Sequence, residues 1–221
     1  QRDATQDLDA LGALCAAAPH APDVRQPPFP GTDERDPRYW ALLKHAFEEG
    51  DRIARTTRAL ETIAEASGCA LTVGPFKKEK RAVEKVRLAY AGDFSQVKDC
   101  FRVSLVADTV AAMVAALEAL LASEILVLRV KNRLSRTYDA ELLSAGYRDV
   151  QLVGAIAGRS GLLVEVQLHL RPFYEHKTAA GAVADAAGKT GHQRYIAWRE
   201  RKEREKFRFK SKIAEIDETA I

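Results

Sequence analysis

The chain has 221 residues, of which 47% are hydrophobic and 29% are charged, a balance typical of a globular domain with its own core. This length allows one large domain, or a domain with a helical extension, and a core that needs no disulfide bonds. No apolar run approaches the roughly 20 residues that a membrane-spanning helix needs, so we expect no membrane partner. The net charge of +3 conceals three basic segments, at residues 75–90, 129–136 and 199–212. They indicate a polyanionic partner such as nucleotide phosphates or nucleic acid, although the last segment also fits a solvated helix face.

The cysteines and the first residues bear on the compartment. Cys15, Cys69 and Cys100 are far apart and odd in number, which fits neither a disulfide framework nor a zinc site. The N-terminal stretch has no basic-then-apolar signal. We therefore expect thiols in a reducing compartment and a cytoplasmic protein. Because the chain opens without a methionine, we also expect residues 1–36 to be linker from a larger protein.

The first part of the chain reads as helical with one interruption. Apolar residues at helical spacing predict a helix over residues 4–17. Six of the chain's eight prolines follow in residues 19–37, which must form an extended linker or loop. Helical spacing resumes over residues 39–67, as one long helix or as two helices broken at Gly50. Gly68 is the expected C-terminal stop.

After this point short strands alternate with helices. The predicted strands are residues 69–73, 100–107, 124–130, 147–157 and 162–170. The predicted helices are residues 77–90, 108–123 with Asp108 as its N-cap, and 172–206, and Asp93 is expected as a further N-cap. A polar loop is expected before Gly146. The last two strands are joined by Gly-Arg-Ser-Gly, which is a hairpin signal.

This order of elements predicts the fold class. One crossover helix and a terminal hairpin indicate an α/β protein of the α+β kind, with a mixed, partly antiparallel sheet of about five strands flanked by helices. We expect an N-terminal helix and Pro-rich linker at 1–36 and a helical segment packing on the domain at 37–67. The main domain with its C-terminal helices is expected at 68–221.

Polar side chains follow one face of the last two strands. The stretch Val-Glu-Val-Gln-Leu-His-Leu at 164–170 alternates without a fault, with Glu165, Gln167 and His169 on one face. We expect helices to cover the apolar face, leaving this polar face open to a cleft. On the neighbouring strand Tyr147 has the parity that brings it to the same face.

Two carboxylates are candidate metal ligands. Asp99 opens the second strand and Glu165 lies in the last one, so the sheet could bring them together. Mg²⁺ prefers a few carboxylates plus substrate phosphates, and nearby lysines would neutralise a polyphosphate. The two acids taken singly are more often structural.

Four motifs in order carry a resemblance to a known family. Val-Lys-Asp-Cys-Phe-Arg-Val-Ser-Leu-Val, Arg-Val-Lys-Asn-Arg, Gly-Tyr-Arg-Asp-Val-Gln-Leu and Val-Glu-Val-Gln-Leu-His-Leu occur in this sequence at spacings that resemble the synthetase domain of the RelA/SpoT family. The similarity covers roughly residues 68–198. Those enzymes make the alarmone (p)ppGpp. The resemblance implies a nucleotidyltransferase-like sheet, Mg²⁺ as cofactor and ATP as donor of a pyrophosphate to a ribose 3′-hydroxyl.

The resemblance also implies roles for individual residues. Asp99 and Glu165 match the metal-binding and catalytic carboxylates, and Tyr147 matches a tyrosine that stacks on the acceptor base. The complete set of implied nucleotide-binding residues is Lys77, Lys78, Lys80, Arg81, Lys85, Arg102, Lys131, Arg133, Tyr147, Arg148, Gln167 and His169.

The sequence departs from the family pattern at positions that contact phosphate or acceptor. His169 stands where the family has arginine, Asp149 and Gln151 where it has serine and histidine, and Pro75 where it has arginine. An imidazole binds phosphate strongly only when it is protonated. We therefore expect a weaker grip on the acceptor, with tolerance of an unusual acceptor or activity that rises in mildly acidic buffer.

Two functions remain open at this point. The first is a pyrophosphokinase acting on GDP, GTP, ADP or ATP, or on an RNA end such as that of tRNA, as toxin-like relatives of the family do. The second is a catalytically decayed module with the same fold that binds nucleotide or RNA. The sequence leaves the acceptor and the oligomeric state undetermined.

Overall fold

The computed structural model describes residues 3–156, 161–177, 193–194, 196–198 and 201–202.

Three expectations from the sequence fall largely beyond this range. Most of the helix expected at 172–206 and nearly all of the basic segment 199–212 lie outside the described residues, as does most of the turn between the last two strands. None of the helices in the described part of the chain is long and apolar enough to cross a membrane. Cys15, Cys69 and Cys100 are free thiols.

Three helices open the chain where helical spacing predicted them. They are α1 (Ala4–Ala17), α2 (Arg38–Glu48) and α3 (Arg52–Ser67). A short 3₁₀ turn separates α2 from α3, and Gly50 within it has a φ of 61°, in the left-handed region that favours glycine. Gly68 ends α3 with a φ of 69°. The predicted break and the predicted stop are both confirmed.

A five-stranded mixed sheet follows. Its strands are β1 (Ala70–Val73), β2 (Phe101–Ala107), β3 (Leu126–Asn132), β4 (Val150–Ala155) and β5 (Leu163–Leu170). They lie in the order β1-β2-β5-β4-β3, with β2 and β5 parallel and the other neighbours antiparallel. The connecting helices are α4 (Glu79–Ala89), α5 (Val110–Leu121), α6 (Ala140–Ser144) and α7 (Arg171–Lys177), and a 3₁₀ turn covers Phe94–Gln96. The predicted fold class is confirmed.

The register of β5 fixes which polar side chains are neighbours. β5 lies between β2 and β4, so that Glu165 is opposite Arg102 on one side and Val153 on the other. Gln167 is opposite Gln151. Because facing residues in a sheet point the same way, this register places the polar residues of three strands on one surface.

The opposite surface carries the core. One hydrophobic cluster includes Leu11 of α1, Leu43 of α2, Leu60 of α3, Leu117 of α5 and Val166 of β5. Each of these side chains is almost wholly buried. The N-terminal helices therefore pack into the same core as the sheet, and this packing leaves the other surface for a cavity.

The segment between α1 and α2 is irregular, as its prolines predicted, but it is attached to the sheet. The buried Gln26 side chain donates to the Val97 carbonyl at 2.9 Å and accepts from the Leu163 amide at 3.1 Å. Asp93 accepts from the Ser95 amide and caps the following 3₁₀ turn, as predicted.

Two local predictions need correction. Thr109, and not Asp108, is the N-cap of α5, since its side chain accepts from the Ala112 amide. Asp108 instead forms an ion pair with Arg171 at the start of α7. The loop expected before Gly146 contains the short helix α6, which is too brief to show a helical period.

Candidate active site

A cavity of 450 Å³ opens on the polar surface of the sheet. Ten of the fourteen residues predicted for the site line it: Lys77, Lys78, Arg81, Lys85, Asp99, Arg102, Arg133, Tyr147, Glu165 and Gln167. The convergence of Asp99 and Glu165, which are far apart in the chain, is therefore observed in the fold. We call this the first cavity.

The segment after β1 brings Lys77 to Asp99. The Gly74 amide donates to the Arg102 carbonyl at 2.9 Å, and the Lys77 amide donates to the Cys100 carbonyl at 2.8 Å. A Cβ on Gly74 would lie 3.2 Å from the Arg102 oxygen, closer than side chains normally approach backbone. The absence of a side chain at Gly74 thus allows this segment to run close along β2.

Asp99 is held between two lysines. Its Oδ2 accepts from Lys77 Nζ at 2.8 Å and its Oδ1 from Lys85 Nζ at 3.0 Å. Burial by itself would raise the pKa of Asp99, but the charges of Lys85 and Lys77 outweigh burial and lower the pKa well below its usual range. Asp99 is therefore a permanently ionised carboxylate.

The pKa of Glu165 is shifted in the opposite direction. Its side chain is only 5% exposed, and its Oε1 accepts from Gln167 Nε2 at 2.6 Å. Burial raises the pKa of Glu165, and the negative charge of Asp99 raises it further. The two carboxylates thus differ in how readily they take up a proton, which is the condition for separate roles in acid–base chemistry.

The donor atoms fit Mg²⁺ bound together with a nucleotide. The described residues contain no group of three or more histidine, cysteine, aspartate or glutamate side chains that could form a complete metal site. Among the described residues that line the first cavity, only Asp99 and Glu165 carry carboxylate oxygens. Mg²⁺ is commonly bound by one or two carboxylates plus substrate phosphates, and these two residues match that pattern.

Helix α4 and the residue before it present a cationic face to the cavity. Lys78, Arg81 and Lys85 line it, and their spacing of three and four residues puts them on one side of the helix. Lys80 lies on another side, is exposed and does not line the cavity. The prediction for Lys80 is corrected accordingly, because consecutive residues of a helix cannot all face one site.

The departures at Asp149 and Gln151 form a connected group with the basic loop. Arg133 forms an ion pair with the fully buried Asp149 and donates to Gln151 Oε1 at 3.1 Å. The Tyr147 hydroxyl donates to Asp149 Oδ2 at 2.8 Å. Asp149 therefore orients both the predicted stacking tyrosine and the predicted phosphate-binding arginine.

Two further residues predicted to bind nucleotide, Lys131 and Arg148, lie outside the first cavity. Lys131 Nζ is 5.7 Å from the ring centroid of Tyr138. Arg148 donates to the Arg133 carbonyl at 3.1 Å and lines a neighbouring cavity of 650 Å³, which we call the second cavity.

His169 is buried rather than open to a cleft. It has no exposed surface, and its ring centroid lies 6.1 Å from that of Tyr147 and 5.4 Å from that of Tyr174 in α7. Burial lowers the pKa of His169 to about 2, and the charges of Lys177 and Arg133 lower it further. The expected open position is wrong. An imidazole that stays neutral also removes the basis for higher activity in mildly acidic buffer.

The predicted set omitted three polar residues that line the first cavity: Tyr90, Gln151 and Lys177. Lys177 donates to Gln167 Oε1 at 2.8 Å. It lies in α7, the helix that directly follows the strand of Glu165, and this closeness in sequence was the available signal. Gln151 shares the parity of Tyr147, which also pointed to the site.

Comparison with solved structures gives the fold. The chain matches a chain in the crystal structure of the complex between the Type VI effector Tas1 and its immunity protein, at 21% identity and a TM-score of 0.53. The match covers 74% of this chain and 86% of that chain. The two chains share a fold. The expected resemblance is thus confirmed at the level of architecture.

A second match is weaker. Small alarmone synthetase 1 from Bacillus subtilis, bound to its product pppGpp, matches at 16% identity and a TM-score of 0.49, over 81% of this chain and 100% of that chain. Neither a protein-family model nor a curated protein matches the sequence. The function therefore has to be argued from the site.

Proposed function

We propose that this protein is a Mg²⁺-dependent pyrophosphokinase that transfers pyrophosphate from ATP to the ribose 3′-hydroxyl of an acceptor. The observation that carries the proposal is the meeting of an ionised Asp99 with a Glu165 of raised pKa in one cationic cavity. A permanent carboxylate suits a hard cation, whereas a carboxylate with a raised pKa suits proton transfer.

In this reaction the acceptor 3′-oxygen attacks the β-phosphorus of ATP. The bond between that phosphorus and the oxygen bridging to the α-phosphorus breaks, and AMP leaves with the bridging oxygen. Glu165 takes the proton of the 3′-hydroxyl, and its raised pKa makes it a stronger base than an ordinary glutamate. Mg²⁺, when bound by Asp99 and Glu165 with the phosphates, would neutralise charge on the transferred group.

The lining of the cavity supports a polyphosphate as ligand. Among the described residues, seven cations face two carboxylates there: Lys77, Lys78, Arg81, Lys85, Arg102, Arg133 and Lys177 against Asp99 and Glu165. Phosphoryl transfer depends mainly on positioning and on fixed charges that stabilise the developing negative charge. This excess of cations, which come from β2, α4, α7 and the segments beside α4 and β3, can supply both.

One observation favours the alternative of a binding module without catalysis. Both oxygens of Asp99 are already engaged by Lys77 and Lys85, as they would be in a purely structural ion pair. Under the enzyme proposal Lys77 and Lys85 exchange their ion pairs with Asp99 for ion pairs with the phosphates when ATP binds. Under the alternative the cations bind nucleotide or RNA. No transfer reaction then occurs, so loss of the Glu165 carboxylate changes no reaction rate.

The proposal extends to the biological role. Since the matched solved structure is that of a Type VI effector with its immunity protein, we propose a toxin role for this protein as well. Expression of the wild-type chain should then arrest growth, whereas expression of Glu165→Gln at the same level should not. Equal toxicity of the two chains would separate toxicity from the transfer reaction.

The direct experiment is incubation with γ-labelled ATP and Mg²⁺ in the presence of GDP, GTP, ADP, ATP or tRNA. The proposal predicts labelled product and an equal amount of AMP with at least one acceptor, and neither with Glu165→Gln. Tight binding of ATP without AMP formation for any acceptor would favour the binding module.

A further inference from the structure

One glutamine of the irregular segment between α1 and α2 is buried against the sheet. Gln26 is 3% exposed, and its backbone amide donates to the Ser95 carbonyl at 2.8 Å. Its side-chain Nε2 donates to the Val97 carbonyl at 2.9 Å and to Cys100 Sγ at 3.0 Å. The Oε1 of the same carboxamide accepts from the Leu163 amide at 3.1 Å. A single side chain therefore joins the segment before β2 to the first residue of β5.

These contacts lie beside the two carboxylates of the candidate site. Asp99 stands between Val97 and Cys100 in the chain, and Glu165 follows Leu163 by two residues. Each end of the buried carboxamide thus holds backbone within two residues of a site carboxylate. The hydrogen bonds are made in a buried place, where a lost partner is not replaced by water and leaves a polar group unsatisfied.

The pairing of β2 with β5 stops short of Asp99. The parallel ladder begins with Phe101 opposite Val164, so Asp99 precedes it by two residues. Glu165 lies within the ladder, and strand pairing fixes its place in the sheet. The distance from Asp99 to β5 depends on contacts beyond the ladder, and Gln26 supplies a bridge there.

The backbone on both sides of Gln26 is itself held in place. Arg25 forms an ion pair with Asp93. The buried Tyr39 hydroxyl of α2 donates to the Pro27 carbonyl at 2.7 Å. A side chain between two attached neighbours can act as a spacer of fixed length.

We infer that Gln26 is a positioning residue of the proposed reaction, which holds the segment of Asp99 against the strand of Glu165 and so sets the separation of the two carboxylates. The inference rests on the proposed function in one respect, because it takes both carboxylates to bind one Mg²⁺. Groups that orient metal ligands affect metal affinity although they do not touch the metal. The segment between α1 and α2 is then a working part of the site.

Mn²⁺ binding tests this inference without turnover. Electron paramagnetic resonance measures free Mn²⁺ with α,β-methylene ATP, whose α,β bridge cannot be cleaved, and the decrease caused by protein gives the affinity. Wild type is compared with Gln26→Met, Gln26→Asn and Tyr39→Phe. Methionine has a similar length without the hydrogen bonds, and asparagine is too short to reach Val97 and Leu163 together. Tyr39→Phe is the matched control, since it removes one hydrogen bond from Pro27 and none from the segment of Asp99.

Gln26→Met is expected to bind Mn²⁺ about tenfold more weakly than the wild-type protein. Gln26→Asn should also bind it more weakly, and it decides the question if the methionine variant does not fold. Tyr39→Phe should lower the midpoint of thermal unfolding and keep the wild-type Mn²⁺ affinity. Circular dichroism checks that each variant is folded at the temperature of the titration.

Three results would overturn the inference. They are no Mn²⁺ binding by the wild-type protein, an unchanged Mn²⁺ affinity in the folded Gln26 variant, and equal weakening in Tyr39→Phe, which would mean that loosening the segment anywhere has the same effect.

AMP release tests the proposed function separately. If wild type releases AMP and the Gln26 variants bind Mn²⁺ normally, this inference fails and the proposed function stands. If Mn²⁺ binding depends on Gln26 and no AMP forms with any acceptor, the proposed function fails and this inference stands.

Discussion

Asp99 and Glu165 differ in how their surroundings treat a negative charge. Two lysines surround the first and lower its pKa, whereas burial beside Asp99 raises the pKa of the second. This difference could not be predicted from the sequence, which gives two acids in two strands but not which of them the lysines reach. It depends on the path of the segment after Gly74 and on the face that α4 turns to the sheet.

Replacement of Glu165 by glutamine should separate activity from stability. The transfer rate should fall about a hundredfold or more, because the 3′-hydroxyl loses its base. The midpoint of thermal unfolding should stay the same or rise, since a raised pKa means that the folded state disfavours the charged form. Initial rates of AMP release and thermal melts measure the two quantities.

The matched control for this change is Glu79→Gln, which alters an exposed glutamate on α4 that does not line the cavity. It should leave both quantities unchanged. A loss of less than about tenfold for Glu165→Gln would contradict the role of Glu165 as base.

His169 predicts a pH dependence of stability. Its folded-state pKa of about 2 lies below the ordinary value of 6.5. Between these two pH values His169 is therefore protonated in the unfolded chain and neutral in the folded protein. The free energy of unfolding should therefore fall as the pH drops below 6.5, by about 2 kcal/mol between pH 7 and pH 5 from this residue alone.

Urea titrations of wild-type protein and His169→Gln at pH 7 and pH 5 check this expectation. Glutamine does not titrate. The free energy of unfolding of the wild-type protein, relative to that of His169→Gln, should therefore be about 2 kcal/mol lower at pH 5 than at pH 7. An equal loss of stability in both proteins would show that His169 does not carry the effect.

On α4, orientation decides which cations serve the site. Lys78, Arg81 and Lys85 line the first cavity because they share one face, and Lys80 is turned away. The sequence predicted the helix and its charge, but the burial of Ala82 and Val86 against the core sets which side faces the sheet. A run of basic residues in the sequence therefore overestimates how many of them line the cavity.

Arg81→Ala and Lys80→Ala should differ as a result. Arg81→Ala should raise the apparent KM for Mg·ATP by about three- to tenfold, since it removes a charge that lines the cavity. Lys80→Ala removes the same charge from the neighbouring position and should leave the KM within about twofold of wild type. Equal effects of the two changes would mean that α4 acts only through its overall charge.

Strand β5 shows where pattern reasoning ends. Perfect alternation predicted the strand, its hairpin with β4 and the face that carries Glu165, and all three are confirmed. It did not reveal that β5 is the central strand and that side chains from the surrounding elements bury its polar face. Glu165, Gln167 and His169 are all buried for that reason.

At the level of the whole molecule, local periodicity predicted the elements and the mixed sheet, because each strand and most helices carry their own pattern. The order β1-β2-β5-β4-β3 depends on long-range pairing, which leaves little trace in a single sequence. The same pairing joins Asp99 of the segment before β2 to Glu165 of β5.

The measurement that tests the proposed reaction most directly is acceptor-dependent AMP release from ATP in the presence of Mg²⁺. Wild-type protein should form AMP and a 3′-pyrophosphorylated product in equal amounts with at least one of GDP, GTP, ADP, ATP or tRNA. Glu165→Gln should form neither, and Glu79→Gln should match the wild type. If the folded wild-type protein binds ATP but releases no AMP with any of these acceptors, the proposed pyrophosphokinase activity is contradicted.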